Sequence, residues 1–396
     1  MEKLFIFIHL ILFSLTVNAQ QVEVSTIDTT DWNLRLRLRL DSMLQSPLLQ
    51  TTQLGLMVYD LTADSALYTF NHRQTLRPAS TMKLLTAITA IDRLGGDYQL
   101  KTTLYYAGSL RNGTLTGNIY CVGGMDPMFD RTDMMAFVNK LRHLGIDTIR
   151  GRILADVSFR DADRLGEGWC WDDDNPVLSP LLYDRKDNFT DVLTSELQRD
   201  GVVIVDSLVK TTRQKATFVT SRSHSIGEVL TTMMKESDNL YAECLFCQLS
   251  AEKGKQATGR ESASKVRSMI QKTGMNPGNY KVADGSGLSL YNYVSAELEV
   301  RLLRYAWHHR DVYALLLPSL PLAGIDGTLK SRMTTGAAFR NVRAKTGTVT
   351  GISSLAGYCK APDGHELAFC IINQGVLRIA DGRSFQDAVC KAMCEP

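Results

Sequence analysis

The chain has little that would tie it to a metal, a nucleic acid or a lipid bilayer. Among its 396 residues there are 7 histidines and 8 cysteines, and no histidine or second cysteine pair stands at ligand spacing, so no zinc site and no other metal is expected. Lys and Arg number 44 against 42 Asp and Glu, leaving a formal charge of +2 that offers no field for nucleic acid or an anionic membrane surface. There is no internal repeat and no low-complexity tract. No Gly-x-Ser-x-Gly elbow occurs, which argues against the esterase-type hydrolases. Past the first twenty or so residues, no apolar run is long enough to span a membrane.

The one long apolar run stands at the start, in MEKLFIFIHLILFSLTVNAQQ. Lys3 precedes an apolar stretch from Leu4 to Val17, and Val17-Asn18-Ala19 forms a small-residue cleavage site, the pattern of a secretory signal peptide (residues 1–19). Gln20 rather than Cys follows, so no lipid anchor is expected. Export would make disulfides permissible for the eight cysteines. Against that, Cys244/Cys247 and Cys390/Cys394 sit in helix-like stretches, and their spacing is also that of a buried helical face.

The remaining chain is long for one core. LGLMVYDLTADSALYTFN (54–71) reads as two strands around a polar turn, and an apolar helix follows that Gly95-Gly96 ends. Residues 104–224 change texture to strand-like runs with a helix near Asp133 to Leu144, which reads as an inserted, mostly-β unit. Helical periodicity returns at Ile226, Val229, Leu230, Met233 and Met234. Three strands close the pattern in VRAKTGTVTG, SSLAGYCK and HELAFCIINQG, before a final helix from about Ser384 to Cys394. Strands at both ends with helices between them predict an α/β (α+β) domain from 20–103 and 225–396, its sheet assembled from both ends of the chain. The run NLRLRLRLD alternates like a strand, yet Leu36, Leu40, Met43 and Leu44 fit a helix.

The chemistry is concentrated in three short motifs. Ser-x-x-Lys occurs four times, at Ser80/Lys83, Ser207/Lys210, Ser250/Lys253 and Ser262/Lys265. Only the first opens an apolar helix directly after a proline, where backbone N–H groups are free around the serine. The other three lie among polar neighbours and read as solvated faces. Ser237-Asp238-Asn239 is the one Ser-x-Asn, compatible with a helix N-cap before LYAECLFCQL. Lys-Thr-Gly occurs twice. Lys272-Thr273-Gly274 ends a helix, whereas Lys345-Thr346-Gly347 opens a run of strands, where a glycine weakens pairing unless something must approach the backbone closely. A lysine on an all-apolar helix is costly unless paired or neutral. One turn from Ser80, a neutral Lys83 could take the hydroxyl proton, provided its pKa falls from ~10.4 to about 7.

The three motifs stand in the chain order found in active-site serine penicillin-binding proteins and β-lactamases. With RPASTMKLLTAITAIDRLGGDYQLKTTLYYAG, VADGSGLS, AGIDGTLKSRM and VRAKTGTVTGISSLAGYCKAPDGHELAFCIINQG, the chain resembles the class C low-molecular-mass penicillin-binding proteins, the D-alanyl-D-alanine carboxypeptidase/endopeptidase family. The resemblance is close across roughly 50–105 and 225–375. It implies a serine β-lactamase/transpeptidase-like domain, a five-stranded antiparallel sheet with helices on both faces. It implies Ser80 as nucleophile, Lys83 as base, made basic by burial beside the second cation Lys345, and Ser237 as proton relay. Asn239 would hold the substrate amide. Lys345 with Thr346, Gly347 and Thr348 would bind the terminal carboxylate, and the N–H groups of Ser80 and Thr348 would form the oxyanion hole. No cofactor is implied. The implied partners are the D-Ala-D-Ala end of peptidoglycan stem peptides and β-lactams as covalent inhibitors. Carboxypeptidase and endopeptidase action, a β-lactamase, and a non-catalytic wall-binding or β-lactam-sensing module all remain open. His308-His309 are read as surface or satisfied core residues, and the acidic GWCWDDDNP loop as a solvated loop rather than a metal site.

Overall fold

The computed structural model describes residues 31–251 and 255–396; the expected signal peptide lies outside them. In chain order the elements are α1 (Trp32–Met43), β1 (Gln53–Asp60), β2 (Ser65–Phe70), α2 (Met82–Leu94), β3 (Gln99–Arg111), β4 (Thr114–Val122), α3 (Arg131–His143), β5 (Thr148–Arg150), β6 (Ile153–Asp156), α4 (Phe189–Arg199), β7 (Val203–Val205) and β8 (Thr217–Ser225). There follow α5 (Ile226–Lys235), α6 (Asn239–Gln248), α7 (Gly259–Lys272), α8 (Ala296–His308), α9 (Arg310–Ser319), β9 (Arg343–Val349), β10 (Gly351–Lys360), β11 (Glu366–Val376) and α10 (Ile379–Cys394).

A five-stranded sheet of order β2-β1-β11-β10-β9 joins both ends of the chain, every pairing antiparallel. Its central strands are buried on both faces, so they read as near-continuous apolar runs. Alternate residues go to opposite layers. Leu367, Phe369 and Ile371 of β11 join one core with Trp32, Leu36 and Leu40 of α1 and Val389 and Met393 of α10. Ala368, Cys370 and Ile372 join the larger core of α2, α5, α6 and α8. Trp32, Leu36 and Leu40 lie one helical turn apart, which resolves the ambiguous leucine run as a helix capped by Asp31.

The second sheet, β7-β5-β4-β3-β8 with β6 beside β4, covers a third core with α3 and α4. Its first and last strands pair from Gln99↔Ser225 onward, so the chain leaves the first sheet and returns at one place. The Ser225/Glu228 capping box then starts α5 at once. Asn112 and Gly113, both at positive φ, close the β3–β4 hairpin. The final helix begins at Ile379, a turn earlier than Ser384. The eight cysteines are free thiols, seven of them buried. No helix among the described residues is long and apolar enough to cross a membrane.

Candidate active site

Ser80 sits in the single 3-10 turn Ala79–Thr81, ahead of α2 rather than inside it. Pro78 opens that turn, and Ala79 is held at φ +50, a conformation an L-residue adopts only under constraint. The constraint is visible. Ser354 Oγ of β10 donates to Pro78 O at 2.5 Å, and Thr81 Oγ1 donates to Glu299 Oε1 of α8 at 2.6 Å. The serine is thus presented by a turn clamped between the sheet and a helix.

Lys83 lies in the first turn of α2, whose residues from Met82 to Ile91 are all buried. Its Nζ donates to Ser80 Oγ at 3.0 Å, to Asn239 Oδ1 at 2.7 Å and to Ser286 O at 2.8 Å. Three acceptors match the three protons of an ammonium; once one is lost, the lone pair can face the Ser80 hydroxyl. Burial lowers the Lys83 pKa to about 8, while the negative charges of Asp284, Glu243 and Asp238 pull it back up. The expected help from Lys345 is absent from this balance: burial, not a neighbouring cation, makes Lys83 basic, and the lysine settles about one unit higher than 7.

Asp238 caps α6 by accepting from Tyr241 N at 3.1 Å, which leaves Ser237 outside the helix at φ +60 with its hydroxyl turned to Lys345. Arg185 grips Asp238 at 2.7 Å from the side of the second sheet. Lys345 of β9 is buried, and its Nζ donates to Ser237 Oγ at 2.8 Å and to Thr346 O at 2.7 Å. Its pKa falls well below the ordinary lysine value, through burial first and the Lys83 charge second. Thr346 Oγ1 donates to Thr328 Oγ1 at 2.8 Å, and Thr348 is exposed at the end of β9. Asn239 accepts from Lys83, so its oxygen is committed to the lysine.

Gly347 explains itself differently from the expected ligand approach. A Cβ there would overlap Ser354 Oγ and lie 2.6 Å from Pro78 O and 3.0 Å from Ser80 N. The close partner is the turn that carries Ser80, and the absent side chain lets β9 lie against it.

Sequence reasoning brought forward Ser80, Lys83, Ser237, Asn239 and Lys345, and hydrogen bonds join them in two separate groups, Ser80-Lys83-Asn239 and Ser237-Lys345. It missed the turn 283–289. Ser286 supplies a carbonyl to Lys83, and Asp284 accepts from Gly287 N, Ser289 N, Asn292 Nδ2 and Trp169 Nε1 at 2.6 to 2.8 Å. The signal was the stretch VADGSGLS. The acidic loop is not wholly a surface feature: Trp171 is exposed, but Trp169 is buried on Asp284.

A family model described as the D-Ala-D-Ala carboxypeptidase 3 (S13) family matches residues 36–182 and 182–394. The chain is 26% identical to a D-alanyl-D-alanine carboxypeptidase of Actinomadura sp. (strain R39), over 86% of this chain and 81% of that protein. It is 24% identical to the D-alanyl-D-alanine carboxypeptidase DacB of Haemophilus influenzae, over 83% and 86%. The crystal structure of penicillin binding protein 4 (dacB) from the same organism is similar with a TM-score of 0.79 at 22% identity, covering 89% of this chain and 97% of that one. On a match that spans most of its length, the chain belongs to the D-Ala-D-Ala carboxypeptidase 3 (S13) family.

Proposed function

We propose that this protein is a serine D-alanyl-D-alanine carboxypeptidase that trims peptidoglycan stem peptides through an acyl-enzyme on Ser80. The observation that carries the reading is the Lys83 amine 3.0 Å from the Ser80 hydroxyl, in a site buried enough to lower the amine's pKa to about 8. At pH 7 about a tenth of such an amine is neutral, and the neutral fraction grows as pH rises.

Neutral Lys83 takes the Ser80 proton as Oγ bonds to the carbonyl carbon between the two D-alanines. Positioned proton transfer of this kind contributes roughly 10² to 10⁴ in rate. Negative charge gathers on the carbonyl oxygen, where the N–H groups of Ser80 and Thr348 serve as donors; losing one such donor costs about 3 to 4 kcal/mol. The carbon–nitrogen bond breaks as the leaving amine takes a proton from Ser237, which is replaced by the proton Lys83 received from Ser80; Ser237 Oγ accepts from Lys345 Nζ at 2.8 Å. Lys345, with Thr346 and Thr348, holds the terminal carboxylate; that anion keeps the buried amine charged when the cleft is filled. Water attack then releases the shortened peptide and restores Ser80. A β-lactam presents the same carbonyl, with its leaving amine tethered in a ring, and acylates Ser80. We place the mature protein in the periplasm, in line with its N-terminal apolar run and cleavage site.

The test is release of D-alanine from diacetyl-Lys-D-Ala-D-Ala, with labelled penicillin in parallel. Wild type is expected to release D-alanine and to hold the label, and Ser80→Ala to do neither. Rapid destruction of penicillin with no D-alanine released would replace the peptidase by a β-lactamase.

A further inference from the structure

Glu243 is a carboxyl in the middle of α6, buried and only 3% exposed. An unpartnered carboxyl at such a position is costly, so the bonds it makes are informative. Its Oε1 accepts from Gly285 N at 3.1 Å and from Ser286 N at 2.8 Å. The carbonyl of that same Ser286 accepts from Lys83 Nζ at 2.8 Å. Glu243 therefore sits two bonds behind the catalytic amine and fixes the turn that holds it. Its far side lines a cavity of about 500 Å³ behind α6, bounded also by Arg160, Asp161, Asp163, Glu167, Arg260 and Asp284, through which it can exchange a proton.

We propose that Glu243 is a positioning residue that governs how readily Lys83 gives up its proton. The carboxyl holds the Gly285-Ser286 turn in either protonation state, while its charge decides whether one more buried anion keeps the amine protonated. This rests on Lys83 being the base for Ser80.

Lys83 is met by Asp284, Glu243 and Asp238, and Lys345 responds to its charge from across the cleft. Glu243 is met most strongly by Asp284 and Lys83. Its charge also acts on the Cys244 and Cys247 thiols of its own helix, and Arg160, Asp161, Asp163, Glu167 and Arg260 stand around the cavity it lines. Burial, then the charge of Asp284, pushes the Glu243 carboxyl up to about 8, the same range to which Lys83 is brought down. Near neutral pH Glu243 therefore carries its proton, and Lys83 is spared a third negative charge beside those of Asp284 and Asp238. As pH rises the carboxyl ionises, attracts the amine's proton and delays its loss. Two groups that titrate in the same range and oppose one another give a limb wider than a single proton would.

The experiment is the pH dependence of the second-order rate at which fluorescent penicillin acylates the full-length protein, from pH 5.5 to 10. The wild-type limb is expected to be broader than a one-proton curve; a simple one-proton limb would overturn the proposal without any variant. Glu243→Gln keeps an acceptor for both N–H groups and cannot ionise. Its limb should coincide with that of wild type near pH 7, where the wild-type carboxyl already carries its proton, and above that should be sharper, reaching half its plateau about half to one pH unit lower. Glu243→Ala should show the same displacement with a lower plateau, since the turn also loses its acceptor. A lower plateau with an unmoved limb in both variants would mean a structural role only and would overturn the proposal, as would a limb moved upward. Lys83→Ala separates this from the underlying reading: acylation that survives there removes Lys83 as the base, whatever the Glu243 variants do.

Discussion

The two buried lysines share a cleft and a direction of pKa shift but have opposite surroundings. Lys83 is ringed by carboxyl groups from α6 and the turn 283–289, and burial has to work against them. Lys345 has no such counter-charge among its influences; burial and the Lys83 charge both push it down. A base needs a pKa near the working pH, so its neighbours moderate the effect of burial. An anion receptor needs the reverse, a cation left short of its counter-ion until the ligand brings one. On the proposed function, the same residue type serves as a proton acceptor at one end of the cleft and as a carboxylate anchor at the other.

Three changes would break or sharpen that contrast. The largest effect is expected at Lys83: replacing it by Ala should slow acylation of Ser80 by roughly 10² to 10⁴, for peptide and penicillin alike. Lys345→Ala should act chiefly on substrates that carry a terminal carboxylate, lowering kcat/KM about 10- to 100-fold, as fits the loss of a hydrogen bond to a charged group. The same variant should lose much less against a peptide ending in a carboxamide. An equal loss on acid and amide would remove Lys345 as the anchor. Gly347→Ala should be smaller and of another kind. It drives β9 away from the Ser80 turn at a cost of about 1 to 3 kcal/mol, seen as a lower Tm and a slower acylation together. An unchanged Tm would show that the turn can retreat.

What could be read in the sequence follows the same division. Ser80, Lys83, Ser237 and Lys345 were legible because each stands in a short motif whose local structure suits it. The central strands were legible because a sheet covered on both faces is apolar throughout. Glu243 was not, since a lone acid in LYAECLFCQ reads as a polar point on an amphipathic helix until the fold buries it. Nor was the clamp on the nucleophile's turn, since Glu299, Ser354 and Thr81 meet only across long separations. The acidic loop misled because its composition says solvent, while one indole of it reaches back to Asp284. The leucine run at α1 kept two periods open until packing against α10 chose between them.

The account depends most on the protonation of one amine. NMR titration of protein carrying [ε-13C]lysine, with Lys83→Arg used to assign the resonance, reads it directly. Lys83 is expected to titrate near pH 8, more than two units below an exposed lysine, with acylation rising over the same range. A resonance that stays in the ammonium position to pH 10 would contradict the account.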